Sequence, residues 1–337
     1  MKNILNRLFE HRTLTREDAM ETLMNLAGGH YNQSQMAAFL TVYMMRSIRT
    51  EELEGFREAM LELCQPVDLD EFDAMDLCGT GGDGKDTFNI STLSSFVVAG
   101  AGQNVAKHGN NGVSSLCGSS NLLAHFGYEF TNNAARIKED MDRSGICFLH
   151  APLFHPAMKN VAPVRRELGV KTFFNMLGPM VNPSKPGRQM IGVYSLQLAR
   201  LYQYIYQKHN KRYMIVHSLD GYDEISLTGP FKVLTQDVEK IMEPGDIGLN
   251  THQQDALFGG ESIQEAANIF YNVLKGDGTL AQTEAVLANS GLALYTGLAL
   301  NSMEEGVDLA RTSLESGKAL QTFKSFLNKD QIVFATS

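Results

Sequence analysis

The chain has 337 residues, more than one hydrophobic core usually organises, so two domains are expected. Hydrophobic residues at 43% and charged residues at 20% exclude a largely disordered chain. A formal net charge of -9 argues against nonspecific nucleic-acid binding, which needs a surplus of Lys and Arg, but leaves room for a small anion in a local basic pocket.

Near the start, Lys2, Asn6 and Arg7 interrupt a short apolar pattern, so no signal-peptide core is expected. No apolar run reaches the roughly 18 residues that a membrane span needs. The first sixty-odd residues read as helix. Thr15, followed by Glu17 and Asp18, supplies a start, and Met20, Leu23, Met24 and Ala27 recur at helical spacing before Gly28 and Gly29 end the run. Ser34 to Ile48 carries a second apolar face through Met36, Phe39, Leu40 and Tyr43. Thr50 is expected to cap a third helix reaching about Cys64, with Pro66 beyond it. Met36, Met44 and Met45 suit either a subunit interface or buried core.

From Ala74 short apolar runs alternate with helical stretches. Strands are expected at Ala74–Leu77, Asn104–Lys107, Ile146–Leu149, Arg188–Tyr194, Arg212–His217 and Phe231–Leu234. Helices are expected at 91–102, 134–144 and 196–208. This alternation predicts an α/β layer on a largely parallel sheet. A helical patch at about 156–177 and a helical end at 262–327 complete the reading. Cys64, Cys78, Cys117 and Cys147 form no C-x-x-C pair and suit free thiols in a reducing, cytoplasmic setting.

The densest chemical signal is Gly79-Thr80-Gly81-Gly82-Asp83-Gly84 directly after a predicted strand. Its glycines permit positive φ, and consecutive N–H groups in such a turn cradle phosphate oxygens. Asn89-Ile90-Ser91-Thr92 then opens a helix whose N-terminus favours an anion. Lys107-His108-Gly109-Asn110 stands at the next strand end, leading to Ser114, Ser115 and Ser119. Taken singly, each has a plain reading: a strand-to-helix turn, a solvated Lys-His loop, a surface pair at Arg165-Arg166, an acidic turn at Asp223-Glu224. Adjacent carboxylates do not share one face of a regular element, so both serve one site only from a loop or toward two ions.

In their order and separation these segments resemble anthranilate phosphoribosyltransferases, together with His155-Pro156-Ala157-Met158, Val164-Arg165-Arg166-Glu167-Leu168-Gly169, Thr172-Phe173-Phe174-Asn175, Leu177-Gly178-Pro179 and Asp223-Glu224-Ile225-Ser226. The resemblance spans nearly the whole chain. It implies a small all-helical domain (1–68 with about 156–187) beside a larger α/β domain (69–155 with about 188–337), with the active site in the cleft. The larger domain has a mainly parallel central sheet and flanking helices, as in nucleoside phosphorylases.

By the same resemblance, phosphoribosyl pyrophosphate is held by Gly79, Gly82, Asp83, Thr87, Asn89, Ile90, Ser91, Thr92, Lys107, His108, Gly109, Asn110, Asn111, Gly112, Val113, Ser114, Ser115 and Ser119. Anthranilate meets Gly79, Asn110 and Arg165. Ser91, Asp223 and Glu224 bind Mg2+, and Lys107 and Asp83 are the catalytic residues. A cytoplasmic homodimer of tryptophan biosynthesis, with no nucleic-acid or membrane partner, is implied. Asn111 and Asn121 stand where relatives often carry Arg and Asp, and Leu116 and Cys117 replace polar residues. The runner-up is a pyrimidine nucleoside phosphorylase, against which Asp223-Glu224 and Arg165 argue. A nucleic-acid-binding relative without catalysis is a third reading.

Overall fold

Four helices open the chain: α1 (Lys2–Phe9), α2 (Arg16–Ala27), α3 (Gln33–Met45) and α4 (Thr50–Glu62). The computed structural model describes residues 1–112, 117–209 and 211–329. It divides into two compact units, Met1–Val67 with Ala151–Lys185, and Asp68–His150 with Pro186–Ser337.

In the helical unit the starts follow local chemistry. The Thr15 hydroxyl accepts the Asp18 N–H at 3.1 Å. At α3, Asn32 and Gln35 exchange hydrogen bonds between side chain and backbone. The expectation for Thr50 is corrected: Arg49 holds the cap position and Thr50 is the first helical residue. The reason lies in Glu52, whose carboxylate takes the Arg49 N–H at 3.0 Å, so no threonine hydroxyl is required. Glu52 is fully buried and also accepts from Leu14 N–H, Tyr43 hydroxyl and Arg46. Burial works to raise its carboxyl, but the Arg46 bond and the two N–H groups outweigh that and hold it below the usual range.

The unit is closed by an aromatic cluster of Phe39, Tyr43, Phe56 and Phe173, with Phe56 and Phe173 stacked at 4.4 Å between centroids. Phe173 belongs to the returning segment, which carries the helices Ala151–Phe154, Ala162–Leu168 and Phe174–Leu177. Met36 is core, whereas Met44 and Met45 are exposed.

The second unit is built on β1 (Met75–Gly79), β2 (Val105–Gly109), β3 (Ile146–His150), β4 (Arg188–Gly192), β5 (Arg212–Ser218), β6 (Phe231–Leu234) and β7 (Glu239–Met242). They form one sheet in the order β3-β2-β1-β4-β5-β6-β7. The first five are parallel, and β6 and β7 are antiparallel. The six expected strands are present to within two residues at each end. The seventh was not expected, since only Met242 of its four residues is buried.

Helix α5 (Ile90–Gly100) joins β1 to β2 and buries eight side chains. Phe96 on it packs against Phe270, Phe323 and Phe326 from the C-terminal helices. The chain moves outward from β1 through β2 to β3, then resumes on the other side of β1 with β4. That reversal opens a crevice at the carboxyl ends of β1 and β4, where parallel sheets bind ligands. Among the described residues no helix is long and apolar enough to cross a membrane.

Candidate active site

Gly79 and Gly192 end β1 and β4 side by side in register. Both are glycine for one reason: Asp223 lies directly over them. A Cβ on Gly79 would overlap the Asp223 carboxylate, and one on Gly192 would overlap the Asp223 carbonyl. The turn after β1 completes the grip. With Gly81 and Gly82 at φ +64 and +77, it aims the Gly81 N–H at Asp223 Oδ2, 2.5 Å away.

Glu224 turns the other way. Its carboxylate accepts from both the hydroxyl and the backbone N–H of Ser91 in the first turn of α5. Lys107, buried on β2, donates to Leu77 O at 2.6 Å and lies 3.4 Å from the Ser91 hydroxyl. Asp83, whose Oδ1 caps the Lys85 N–H, adds a third carboxylate beside Asp223.

This crowding has an electrostatic signature. Burial first, then Glu224 and Asp83, push the Asp223 carboxyl well above the usual range, against the Gly81 N–H. Burial and Asp83 push Glu224 up to about 7, although Lys107 and Ser91 oppose it. Burial lowers the Lys107 ammonium, while Asp76, Cys78 and Glu224 work to keep it charged. Two carboxyls held above their ordinary range beside a hydroxyl make a set of hard oxygen donors whose repulsion a divalent cation relieves. No cluster of three or more His, Cys, Asp or Glu able to hold an ion alone is present among the described residues. The oxygens of Ser91, Asp223 and Glu224 are hard donors of the kind that Mg2+ takes alongside waters and phosphate oxygens.

The remaining sequence candidates fall into three groups. Thr87 bridges to Phe258, and the Asn89 amide donates to Cys117 O at 2.9 Å, tying the start of α5 to the loop after β2. Ile90 and Thr92 have buried side chains, so only their backbone is available there. His108 is buried, with its N–H on Asp76 at 3.2 Å. After Gly109, the Asn110 carbonyl accepts from Ser120 N–H and the Ser119 hydroxyl, and the Asn110 side chain holds the Asn111 N–H. Asn121 accepts the N–H groups of Gly112 and Gly118 at 2.8 and 3.1 Å, so the neutral amide serves as the loop's acceptor. Val113, Ser114, Ser115 and Leu116 lie outside the described residues.

Arg165 belongs to the helical unit. It is partly buried over the Phe174 ring at 5.1 Å, its Nη2 3.5 Å from Asn175 Oδ1, and burial lowers its guanidinium. Arg166 is exposed. His155 is buried, its Nε2 3.0 Å from Val181 O, and burial takes it down to about 4, so it is a neutral packing residue.

Sequence reasoning passed over the residues that hold the acidic segment. The Ser218 hydroxyl donates to Glu224 O and accepts Ser226 N–H, and Asn289 brackets Ile225. Asp76 lies under Lys107 and takes the Gln189 amide at 3.2 Å. Only Asp76 had a signal, as a buried acid opening the glycine-rich run.

A helical unit and an α/β unit with this crevice at its sheet match one class of protein. Residues 71–320 match the a/b domain of a glycosyl transferase family, and residues 2–64 match that family's helical bundle domain. A relative from Flavobacterium psychrophilum, an anthranilate phosphoribosyltransferase, is 58% identical over 96% of this chain and 98% of its own length. The crystal structure of the Thermus thermophilus anthranilate phosphoribosyltransferase is 34% identical with a TM-score of 0.89, covering 96% of this chain and 98% of that one. The Saccharomyces cerevisiae enzyme in complex with PRPP and Mg is 27% identical, again with a TM-score of 0.89, over 96% of each chain. The chain belongs to the anthranilate phosphoribosyltransferase family.

Proposed function

We propose that this protein transfers the 5-phosphoribosyl group of phosphoribosyl pyrophosphate to the amine of anthranilate, giving N-(5-phosphoribosyl)anthranilate and pyrophosphate in tryptophan biosynthesis. The observation that carries this reading is the gathering of a glycine turn, the buried Lys107 and the pair Asp223 and Glu224 at the β1–β4 switch point. The yeast relative with PRPP and Mg supports the donor and the metal.

The turn from Gly79 to Asp83, Thr87, Asn89 to Thr92, Lys107 to Gly112 and Ser119 hold the donor, largely through backbone N–H groups. Ser91, Asp223 and Glu224 hold Mg2+, which when bound offsets the charge on the departing pyrophosphate. The Lys107 amino group, held on Leu77 O in a desolvated place, is a preorganised donor that adds to that stabilisation without reorganising. Asp83 shares the reacting end with Lys107. Arg165, with Gly79 and Asn110, takes anthranilate, because its planar fork matches a carboxylate.

The amine lone pair forms the bond to the anomeric carbon as the bond to pyrophosphate breaks with its electron pair. The nitrogen, made acidic by the new bond, then passes its proton to water, which leaves a neutral product amine. An aromatic amine is neutral at ordinary pH, so positioning supplies much of the rate. A homodimer through the helical unit fits the exposed Phe9, Met44 and Met45, and light scattering on the purified protein tests it. The activity is tested by loss of anthranilate fluorescence on adding phosphoribosyl pyrophosphate and Mg2+. Folded protein that consumes none across a range of divalent metals overturns the proposal.

A further inference from the structure

The segment carrying Asp223 and Glu224 is held by more than its neighbours in sequence. Asn289 stands in the middle of the helix Leu280–Leu298 and is almost fully buried. Its Oδ1 accepts the Ile225 N–H at 3.0 Å, and its Nδ2 donates to Ile225 O at 2.9 Å and to Ala285 O at 2.8 Å. One amide therefore satisfies both polar groups of the residue directly after Glu224, from 64 positions away. A buried amide is costly unless so bonded, and an apolar side chain would fill the same space without that requirement.

The other side of the segment is held as firmly. Ser218 Oγ donates to Glu224 O at 2.7 Å and accepts Ser226 N–H at 3.1 Å. Two residues past Ile225, Leu227 is held at φ +59, a conformation rare for leucine, with its carbonyl taken by His252 N–H at 2.8 Å. Such strain persists only where surrounding contacts over-determine the backbone, and they converge here on the acidic pair.

We infer that Asn289 is a positioning residue, whose amide clamp on Ile225 fixes the divergent directions of Asp223 and Glu224 and so sets the geometry in which they meet a metal–diphosphate. Asn289 is buried and its amide is spent on Ile225 and Ala285. It acts through the backbone, with Ser218 as its counterpart. The inference rests on the proposed role of the acidic pair.

The test measures metal binding apart from turnover. Mn2+ is titrated into the protein with inorganic pyrophosphate present, and free Mn2+ is read by electron paramagnetic resonance. Asn289→Ala should weaken Mn2+ binding about tenfold or more and raise the half-saturating Mg2+ for turnover in step, leaving the KM for anthranilate within about twofold. Ser218→Ala, which removes a single oxygen, should show the same pattern at smaller size, and its result decides if Asn289→Ala is not recovered folded. Val307→Ala is the control, since Val307 packs on Gly291 of the same helix, is buried, and belongs to the apolar core. It should lower the melting temperature without changing Mn2+ affinity. Unchanged Mn2+ affinity in a folded Asn289→Ala, or an equal loss in Val307→Ala, overturns the inference. Failure of the parent protein itself to bind Mn2+ with pyrophosphate speaks instead against the acidic pair as metal ligands.

Discussion

Replacing Glu224 with Gln should make the metal-free protein more stable at pH 8 while making it a poorer enzyme. The carboxyl stands at about 7 against an ordinary 4.5, because burial and then Asp83 oppose its charge more than Lys107 and Ser91 favour it. A carboxyl raised in the folded state binds its proton more tightly there than in the unfolded chain. Its ionisation therefore costs nothing below about pH 4.5, and the folded state loses stability progressively as pH climbs toward and through 7. At full ionisation the gap corresponds to about 3 kcal/mol. Solvent screening at the exposed edge of Glu224 brings this to about 1–2 kcal/mol. For a unit of this size that is a rise in melting temperature on the order of 2–8 °C for Glu224→Gln. The assay is thermal unfolding of parent and variant in chelator at pH 5 and pH 8. The gain should be largest at pH 8 and fall to about a quarter of that at pH 5, where the folded parent carries the proton and the unfolded chain is still partly ionised. In Mg2+ and donor, the variant should need far more metal for half its maximal rate. A variant no more stable than the parent at pH 8, or equally stabilised at both pH values, refutes the account of the crowded carboxylates.

Arg165→Ala should raise the KM for anthranilate at least about thirtyfold, the loss expected of a desolvated charged pair at about 2–5 kcal/mol, with the donor KM within a few-fold. Arg166→Ala should be nearly silent, because Arg166 is exposed, and the reverse order would show that the acceptor contact is misassigned. Gly79→Ala places a Cβ on the Asp223 carboxylate; at about 1–3 kcal/mol for overpacking, kcat/KM should fall roughly 10- to 100-fold with circular dichroism unchanged. Asn121→Ala strands the N–H groups of Gly112 and Gly118 and should raise the donor KM about tenfold, whereas Asn121→Asp, which keeps an acceptor, should stay close to the parent in the same steady-state assay.

What was legible in the sequence follows the range over which each feature is determined. β1 to β5 are enclosed on both faces, so they read as short apolar runs. β7 escaped because three of its residues, Glu239, Lys240 and Ile241, are exposed at the sheet edge, where charge protects against further pairing. The Thr50 expectation failed because capping was decided by Glu52, and Glu52 was recruited by Leu14, Tyr43 and Arg46 from other parts of the helical unit.

The candidate site divides along the same line. Gly81 and Gly82 advertise themselves, since the turn demands positive φ from their own backbone. Gly192 does not, because its lack of a side chain matters only once β4 has paired beside β1 and Asp223 crosses both. Asn289 and Ser218 are likewise ordinary residues until the sheet order brings Ile225 and Glu224 to them. The adjacency of Asp223 and Glu224 did carry information, for neighbouring side chains cannot point the same way. The structure resolves that constraint by giving each carboxylate its own anchor, the Gly81 N–H for one and Ser91 for the other. Two adjacent acids of one segment are thus anchored to two different elements, the turn after β1 and the first turn of α5, while the clamp on Ile225 holds the backbone between them.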